Sequence, residues 1–411
     1  MPHRTLTKEQ RAEALRNWWA RYPFRGNAVE RLAAMRKAEE EFGPLTEKER
    51  TAALYRLPLD GDLCLLEPEA DMGQDALKLC GQLLDDSHYD ADYLLDRTGI
   101  LTAPSVHFEK DGYTFEAMPG YGATICVLLK NVLPKRLIDA VRPIVRKAAS
   151  QRSVAGGNRG VAAGTGMVER KNQNGQKSKI RGAQTLEELS DENFANLRSA
   201  KDGTFGYLGR GVRGGQKYPC RLTRYDGVLP SELRLMSELA EAVAESFKNS
   251  MMQNRWEAQF AKANQTAPTW LIRTNKGITP FTTITCNLSF RTAAHIDAGD
   301  LKEGFGVMCC FGDFEGCDLV FPRYRAAVRY REGDVLLANV HEVHGNTPLR
   351  NVDGSVPQGG REPERLVCVF YFQEKMEQCE RTVEKELELI NRYERGQSKK
   401  KAKKKAKAAK A

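Results

Sequence analysis

The sequence lacks any uncharged apolar run of 18 or more residues, the length that a membrane-spanning helix requires. Its first 22 residues are charged and polar, without the apolar segment of a secretory signal. The ten cysteines include no C-x-x-C pair, which excludes a zinc ribbon and argues against a disulfide framework in a chain of 411 residues. We therefore expect an intracellular protein without membrane contact, and Cys309, Cys310 and Cys368, which lie in apolar runs, are expected to be buried thiols.

Basic charge is concentrated at the end of the chain. Residues 399–411 contain eight lysines and no acid, which leaves 55 basic against 54 acidic residues elsewhere. We expect a Lys-rich disordered tail that attracts nucleic acid without sequence preference, or directs the protein to the nucleus if the source is a eukaryote. A solubilising end has the same composition, and that alternative stays open.

Helical patterns dominate both ends of the folded part. The capping-box sequences T-K-E-Q and T-E-K-E begin at Thr7 and Thr46, so residues 1–120 are expected to be a mostly helical region. Apolar residues at helical spacing predict a further helix over residues 231–249. A similar apolar stripe predicts a C-terminal helix over residues 374–398.

Composition changes over residues 150–224, where glycine is frequent and basic residues outnumber acidic ones. Such a stretch is typical of a flexible, cation-rich insert whose glycines allow close approach to phosphates. Phe205, Tyr207 and Tyr218 lie among the cations and are candidate stacking partners for bases. A disordered or merely solvated loop would have the same composition.

The last third of the chain is rich in short β-prone runs separated by turns such as Gly312-Asp313. Six such runs in about 90 residues indicate a β-sandwich or jelly roll, and hence an α+β protein overall. The runs are TTITCNLSF (282–290), GVMCCF (306–311), CDLVF (317–321), AAVRY (326–330), DVLLANV (334–340) and RLVCVFYF (365–372).

Three of the six histidines lie in this β-rich third. His295 and Asp297 form an H-x-D pattern after a strand, and alternation places both side chains on one face. Either His341 or His344 can supply a second imidazole, and His344 is preferred because it lies past the strand end. Two imidazoles and one carboxylate form the facial triad of non-haem Fe(II) oxygenases. We therefore predict His295, Asp297 and His344 as catalytic iron ligands, against the alternative of a surface hydrogen-bonded pair.

An oxygenase of this kind needs a cation if its co-substrate is a dicarboxylic keto acid. A guanidinium binds a carboxylate through two parallel hydrogen bonds, so arginine suits this role better than lysine. Arg365 opens the last strand and is the candidate, with Arg361 as the second choice. A surface arginine at a strand end is the alternative interpretation.

These residues lie in segments that resemble the TET/JBP dioxygenases, and more closely their JBP and algal, fungal and viral branches than the animal TET enzymes. The resemblance covers roughly residues 270–373, and GGNRGVAAGTG (156–166) is similar to a further element of those branches. The motifs are NLSFRTAAHIDAGD (287–300), GFGVMCCFGDFEGCDLVFP (304–322), GDVLLANVHEVHGNTP (333–348) and RLVCVFYF (365–372).

The resemblance implies a double-stranded β-helix enzyme that uses Fe(II) and 2-oxoglutarate to oxidise the 5-methyl group of thymine or 5-methylcytosine in DNA, with RNA not excluded. It assigns iron to the three predicted ligands and the co-substrate to Arg365. Asn287 and Asp300 are then expected at the co-substrate and Arg291 at the substrate. Because a stacked base must be flipped out to reach enclosed iron, cations such as Arg159 and Arg170 are expected on the DNA backbone.

Three alternatives stay open: a relative that uses ascorbate as co-substrate, a dioxygenase with a protein or small-molecule substrate, and a non-catalytic nucleic-acid-binding protein. The expected organisation is a helical region (1–120), a dioxygenase domain (121–373) with a basic insert (150–224) and a metal-binding β-core (282–373), a C-terminal helix (374–398) and a tail (399–411).

Overall fold

The computed structural model describes residues 7–21, 37–46, 49, 64–66, 68, 76–103, 123–150, 162, 167–171, 177–181, 201–213, 216–223, 230–250, 253–266, 271–358, 363–382, 384–386 and 388. Its longer helices are α1 (Lys8–Arg21), α2 (Lys135–Ala149), α3 (Pro230–Asn249) and α4 (Gln253–Thr266), with 3-10 helices at Ala76–Leu79, Asp86–His88, Ala91–Tyr93, Pro322–Tyr324 and Glu374–Gln378. None of the helices in these ranges combines the length and apolarity needed to cross a bilayer.

The strands are short and numerous, as the turn-rich last third predicts. They are β1 (Cys64–Leu66), β2 (Leu94–Leu95), β3 (Gly99–Ala103), β4 (Ala123–Leu129), β5 (Met167–Lys171), β6 (Lys177–Arg181), β7 (Lys201–Leu208), β8 (Gly211–Arg213), β9 (Gln216–Tyr218), β10 (Arg221–Leu222), β11 (Arg273–Thr274), β12 (Gly277–Ile278), β13 (Thr283–Leu288), β14 (Gly306–Phe311), β15 (Glu315–Gly316), β16 (Leu319–Phe321), β17 (Ala326–Val328), β18 (Val335–Ala338), β19 (Gly345–Asn346), β20 (Leu349–Arg350) and β21 (Leu366–Tyr371).

Two sheets form the core. The large sheet has nine strands in the order β1-β3-β4-β18-β14-β21-β13-β7-β10, and the small sheet has four in the order β19-β16-β17-β2. The pairings β1/β3 and β17/β2 are parallel, and the other pairings in both sheets are antiparallel. All six predicted runs contain a strand, and the predicted α+β class with a jelly-roll core is confirmed.

The central strand β14 shows how the layers are built. Val307, Cys309 and Phe311 pack with α2 and α3 on one face, while Met308 and Cys310 pack toward the small sheet on the other. Because both faces of this strand are buried, its sequence is apolar throughout and does not alternate. The helices therefore cover the outside of the large sheet, and the space between the sheets remains for a site.

The N-terminal region is helical only in part. Both predicted capping boxes are confirmed, since Thr7 and Gln10 exchange hydrogen bonds of 3.1 and 3.2 Å, and Thr46 and Glu49 do the same at 2.8 and 3.2 Å. The prediction of a mostly helical region to residue 120 is wrong for the strands within residues 64–103, because β1, β2 and β3 belong to the two sheets. The core therefore begins before the predicted boundary at residue 121.

The basic insert also contributes to the core. Residues 201–206 of β7 pair with the whole of β13, and the last two residues of β7 pair with β10, so this part of residues 150–224 is not a flexible loop. Phe205 is 2% exposed in the main core and cannot stack on a base, which corrects that prediction. Tyr207 is partly buried against a small apolar cluster, and the side chain of Tyr218 lies outside the described residues.

The C-terminal segment differs from the predicted helix at its start. A 3-10 helix ends at Gln378, and Cys379 is extended, with φ −76° and ψ 144°. Cys379 forms a disulfide with Cys220, whereas Cys309, Cys310 and Cys368 are buried free thiols, as expected. Glu386 is fully buried and binds the guanidinium of Arg210 through two hydrogen bonds of 2.7 Å. The segment is thus fastened to the chain between β7 and β10, and the lysine tail lies outside the described residues.

The disulfide is expected to contribute measurably to stability. It closes a loop of 159 residues, and disulfides typically stabilise by about 2–4 kcal/mol. Cys220→Ser should lower the urea midpoint under non-reducing conditions, and reductant should lower the wild-type midpoint to the same value. Cys80→Ser, which changes a free half-buried cysteine, is the control. A wild-type midpoint that does not respond to reductant would contradict the disulfide.

Candidate active site

A cavity of about 290 Å³ lies between the two sheets. Its floor consists of side chains from β13, β14 and β21, and β16 and β19 supply residues of the opposite wall. The lining residues are Ala162, Thr285, Asn287, Phe290, Thr292, His295, Asp297, Gly299, Asp300, Met308, Leu319, Tyr330, His344, Asn346, Arg365, Val367, Val369, Tyr371 and Gln373. The cavity therefore contains each of the three predicted iron ligands and the predicted co-substrate arginine.

The two histidines face each other across an isolated antiparallel bridge. The amide of His295 donates to the carbonyl of His344 at 2.9 Å, and the amide of His344 donates back at 3.0 Å. The centroids of their rings are 4.4 Å apart. A backbone pairing between the loop after β13 and the residue before β19 thus brings two distant imidazoles together.

Both imidazoles are held in the tautomer that suits a metal ligand. Nδ1 of His295 lies 2.8 Å from the carbonyl oxygen of Ala293, and Nδ1 of His344 lies 2.8 Å from that of Glu342. A carbonyl oxygen can only accept, so each Nδ1 carries the proton and each Nε2 keeps its lone pair. Burial, together with the neighbouring His295, lowers the pKa of His344 to about 4, so this ring is neutral at pH 7.

Asp297 completes the set. Its Oδ1 lies 3.8 Å from Nε2 of His295, and its Oδ2 lies 3.8 Å from Nε2 of His344. Two atoms bound to one first-row ion at about 2.0–2.2 Å can be up to roughly 4.2 Å apart, so these distances allow a shared ion. Within the described part of the chain this is the one group of three potential ligands found, and two imidazoles with one carboxylate suit Fe(II).

The competing candidates lie elsewhere. His341 directs its Nε2 toward the carbonyl oxygen of Leu301 at 3.4 Å and is not a lining residue of the cavity. The structure therefore favours His344 over His341 as the second imidazole. Arg361, the second choice for the co-substrate, lies outside the described residues.

Arg365 is a buried cation whose hydrogen bonding is incomplete. It is 3% exposed, its Nη2 donates to the hydroxyl of Tyr330 at 2.5 Å, and its Nη1 lies 3.4 Å from the carbonyl oxygen of Phe290. The rings of Phe314 and Tyr330 flank the guanidinium at 5.5 and 5.4 Å. Its Nε has no hydrogen-bond partner, and no carboxylate forms an ion pair with it, among the residues that the structure describes. Burying an unpaired charge is costly, so a carboxylate ligand fits this site.

The remaining predicted residues separate into three groups. Asn287 and Asp300 line the cavity. Arg291 is not a lining residue, and its guanidinium donates to the carbonyl oxygens of Leu84 and Asn346, so it holds the chain around the site and its predicted substrate contact is not supported. Arg159 and the side chain of Arg170 lie outside the described residues.

Sequence reasoning missed Tyr330 and Gln373. Gln373 accepts a hydrogen bond from the amide of Gly209 through its Oε1 at 2.6 Å, and its backbone pairs with Asp300. Strand periodicity could have found Gln373, because every second residue from Arg365 to Gln373 lines the cavity. Tyr330 follows β17, and nothing in the sequence indicates that its hydroxyl meets Arg365.

A His–Asp–His set and a buried arginine that share one cavity in a two-sheet β fold are the arrangement of a 2-oxoglutarate/Fe(II) oxygenase. The comparisons agree with that class. Residues 207–374 match the Tet_JBP family model, the oxygenase domain of the 2OGFeDO superfamily. The predicted family resemblance is therefore confirmed for this segment, which is similar to the oxygenase domain of that superfamily.

Individual relatives match over short parts of their length. Thymine dioxygenase JBP1 of Crithidia fasciculata is 38% identical over 135 residues, 33% of this chain and 15% of the relative. The protein of the same name from Trypanosoma brucei brucei is 30% identical over 171 residues, 41% and 18% of the two chains. The chain thus spans less than a fifth of the length of these curated relatives. Among solved structures, NgTET1 in complex with 5mC DNA aligns with a TM-score of 0.42 and 11% identity, over 83% of this chain and 94% of that one.

Proposed function

We propose that the protein oxidises the 5-methyl group of thymine or 5-methylcytosine in DNA, with Fe(II) on His295, Asp297 and His344 and 2-oxoglutarate on Arg365. The observation that carries the proposal is that the three potential ligands share one cavity with the buried guanidinium of Arg365, whose Nε has no hydrogen-bond partner among the described residues. The match of residues 207–374 to the oxygenase family, with relatives named thymine dioxygenases, supports the substrate class.

When bound, iron and 2-oxoglutarate supply the oxidation, in which O₂ converts the methyl group to hydroxymethyl and 2-oxoglutarate to succinate and CO₂. The chain itself positions the reactants and excludes water. Arg365 donates to one carboxylate of the co-substrate, and the hydroxyl of Tyr330, which accepts from Arg365, can donate its own proton to the same group. Burial raises the pKa of Tyr330, which keeps that proton in place.

The cavity favours a single base over a duplex. At about 290 Å³ it is near the lower end of the roughly 300–1,000 Å³ typical of small-molecule pockets, so a nucleotide must leave the stack to reach the metal. Gln373 and Asp300 stand side by side at its wall. Because Oε1 of Gln373 is bound to the amide of Gly209, its amide nitrogen is the end that can donate to a ligand. A donor at this wall of the cavity suits the carbonyl oxygens that thymine and 5-methylcytosine carry.

The proposal names 2-oxoglutarate rather than ascorbate as co-substrate. Ascorbate is an anion without a carboxylate, so it lacks the planar pair of oxygens that a guanidinium binds through two parallel hydrogen bonds. A dicarboxylic keto acid has one end for the metal and a second for Arg365, whose Nε has no hydrogen-bond partner within the described chain.

The proposed dioxygenase unit comprises the strands of residues 64–103 together with residues 121–373. DNA is its proposed partner. Backbone phosphates require cations, and the basic stretch of residues 150–224 and the lysines of residues 399–411 are the proposed source. In a eukaryotic cell the same lysines would direct the protein to the nucleus.

The decisive experiment separates the two methylated bases. Purified full-length protein is incubated with Fe(II), 2-oxoglutarate and three matched duplexes, and succinate and hydrolysed nucleosides are measured by mass spectrometry. One duplex carries thymine with unmodified cytosine, and one carries 5-methylcytosine with uracil in place of thymine. The third carries uracil and unmodified cytosine, and therefore has no 5-methyl group.

We expect a 5-hydroxymethyl nucleoside, with matching succinate, from at least one methylated duplex and none from the methyl-free duplex. Equal succinate release with all three duplexes, without a hydroxymethyl product, would contradict a 5-methylpyrimidine substrate and favour the alternative of a substrate other than DNA. DNA binding without succinate or product would favour the non-catalytic alternative. Replacing 2-oxoglutarate with ascorbate should give no product.

A further inference from the structure

One turn of the chain contacts the proposed metal ligands from behind. This ligand-bearing turn, residues 339–344, connects β18 to β19. The carbonyl of Val340 accepts from the amide of Asp297 at 3.0 Å, and the carbonyl of Glu342 accepts from Nδ1 of His344 at 2.8 Å. The backbone of His344 in turn pairs with the other histidine. The position of the turn therefore determines where Asp297 places its carboxylate and which tautomer His344 adopts.

The side chain of Glu342 anchors this turn. Glu342 is 7% exposed, and its Oε1 accepts from the hydroxyl of Tyr324 at 3.2 Å and lies 3.7 Å from Nη1 of Arg323. Both partners belong to the 3-10 helix Pro322–Tyr324, whose Tyr324 is buried in the core between the sheets. The carboxylate thus ties the turn to a rigid part of the small-sheet side. A buried charge is costly without partners, so these contacts help to fix the position of the carboxylate.

We infer that Glu342 is a positioning residue of the metal site, which acts through its own carbonyl on His344 and through the turn on Asp297. The inference rests on the proposed metal site. Partners that orient metal ligands commonly change metal affinity by about 10–100-fold when removed, without being ligands themselves. A side chain that only stabilises the fold would leave metal affinity unchanged in protein that remains folded.

The test measures metal binding without turnover. Co(II) is titrated into the full-length protein, and its visible absorption gives both the dissociation constant and a signature of the ligand geometry. Glu342→Ala is expected to weaken Co(II) binding by about 10–100-fold and to change the absorption band. Glu342→Gln, which can still accept from Tyr324, should restore most of the affinity. Tyr324→Phe removes the hydroxyl alone and tests the same link if the alanine variant does not fold.

Asp334→Ala is the matched control. Asp334 is a fully buried carboxylate that accepts from the amides of Asn131 and Arg331, and it contacts none of the three ligands in the described structure. The Asp334→Ala substitution should lower the thermal midpoint while leaving Co(II) affinity at the wild-type value. Wild-type affinity and spectrum in Glu342→Ala, or an equal loss in Asp334→Ala, would overturn the inference. If the wild-type protein does not bind Co(II), or if Asp297→Ala binds it equally well, the proposed metal site itself is wrong.

Discussion

Asp297→Ala is expected to weaken binding of a divalent ion by more than about 100-fold and to abolish hydroxylation. Removing a partner behind a ligand already costs about 10–100-fold, and here the ligand itself is lost. Asp297 is also the one carboxylate in the ligand group that the described residues form. Its side chain is one-third exposed, so the thermal midpoint of the metal-free protein should not fall. Co(II) titration and nucleoside mass spectrometry measure the two effects.

His341→Ala provides the comparison for that variant. His341 lies close to the site along the chain, but its ring is directed to the carbonyl of Leu301. It should retain Co(II) binding and activity. Loss of metal binding in His341→Ala, with Asp297→Ala unaffected, would show that the metal is held by a different set of residues.

The site could be predicted where local pattern and strand geometry determine it. The H-x-D pattern after a strand places His295 and Asp297 on one face, and a histidine past a later strand end supplies the third group. The sequence could not show that His295 and His344 are joined by a backbone bridge, since that pairing depends on how two loops meet in space. The choice between His341 and His344 depends on the same pairing.

The basic stretch shows why composition misled the prediction of the fold. Its glycines were interpreted as a source of flexibility, but two of them allow close packing. A Cβ at Gly203 would lie 2.3 Å from the carbonyl oxygen of Ala148 in α2. Gly206 has φ +89°, and a Cβ there would lie 2.3 Å from the carbonyl oxygen of Thr282. Such contacts with distant parts of the chain leave no periodic signal, so β7 could not be recognised locally.

Long-range contacts also explain the disulfide and the position of Arg291, which local sequence patterns do not show. Cys220 and Cys379 are 159 residues apart, and sequence alone does not reveal which cysteines meet. Arg291 lies in the motif with the metal ligands, which suggested a place in the pocket. Its guanidinium instead satisfies the carbonyl oxygen of Leu84, more than 200 residues away in the sequence. In each case the sequence shows the residue but not the distant group that it contacts.

Arg365→Gln is expected to raise the KM for 2-oxoglutarate by about 100-fold. Hydrogen bonds to charged groups contribute about 1.5–3 kcal/mol each, and glutamine removes the charge from a site that excludes water. The variant should also lose the rise in thermal midpoint that 2-oxoglutarate gives the wild type with Fe(II) under anaerobic conditions. Without ligand, any change in its thermal midpoint reports the loss of the hydrogen bond to Tyr330 and of the contacts with the rings of Phe314 and Tyr330.

Arg331→Gln is the matched control for this substitution. Arg331 also lies over the ring of Phe314, at 5.1 Å, but its guanidinium binds Asp318 and Glu315 and it does not line the cavity. It should lose stability because Asp318 loses a partner, and it should keep the wild-type KM. The two variants should therefore differ in their response to 2-oxoglutarate: Arg365→Gln loses it, whereas Arg331→Gln loses stability and keeps it. An unchanged KM in Arg365→Gln would show that the co-substrate does not bind at Arg365.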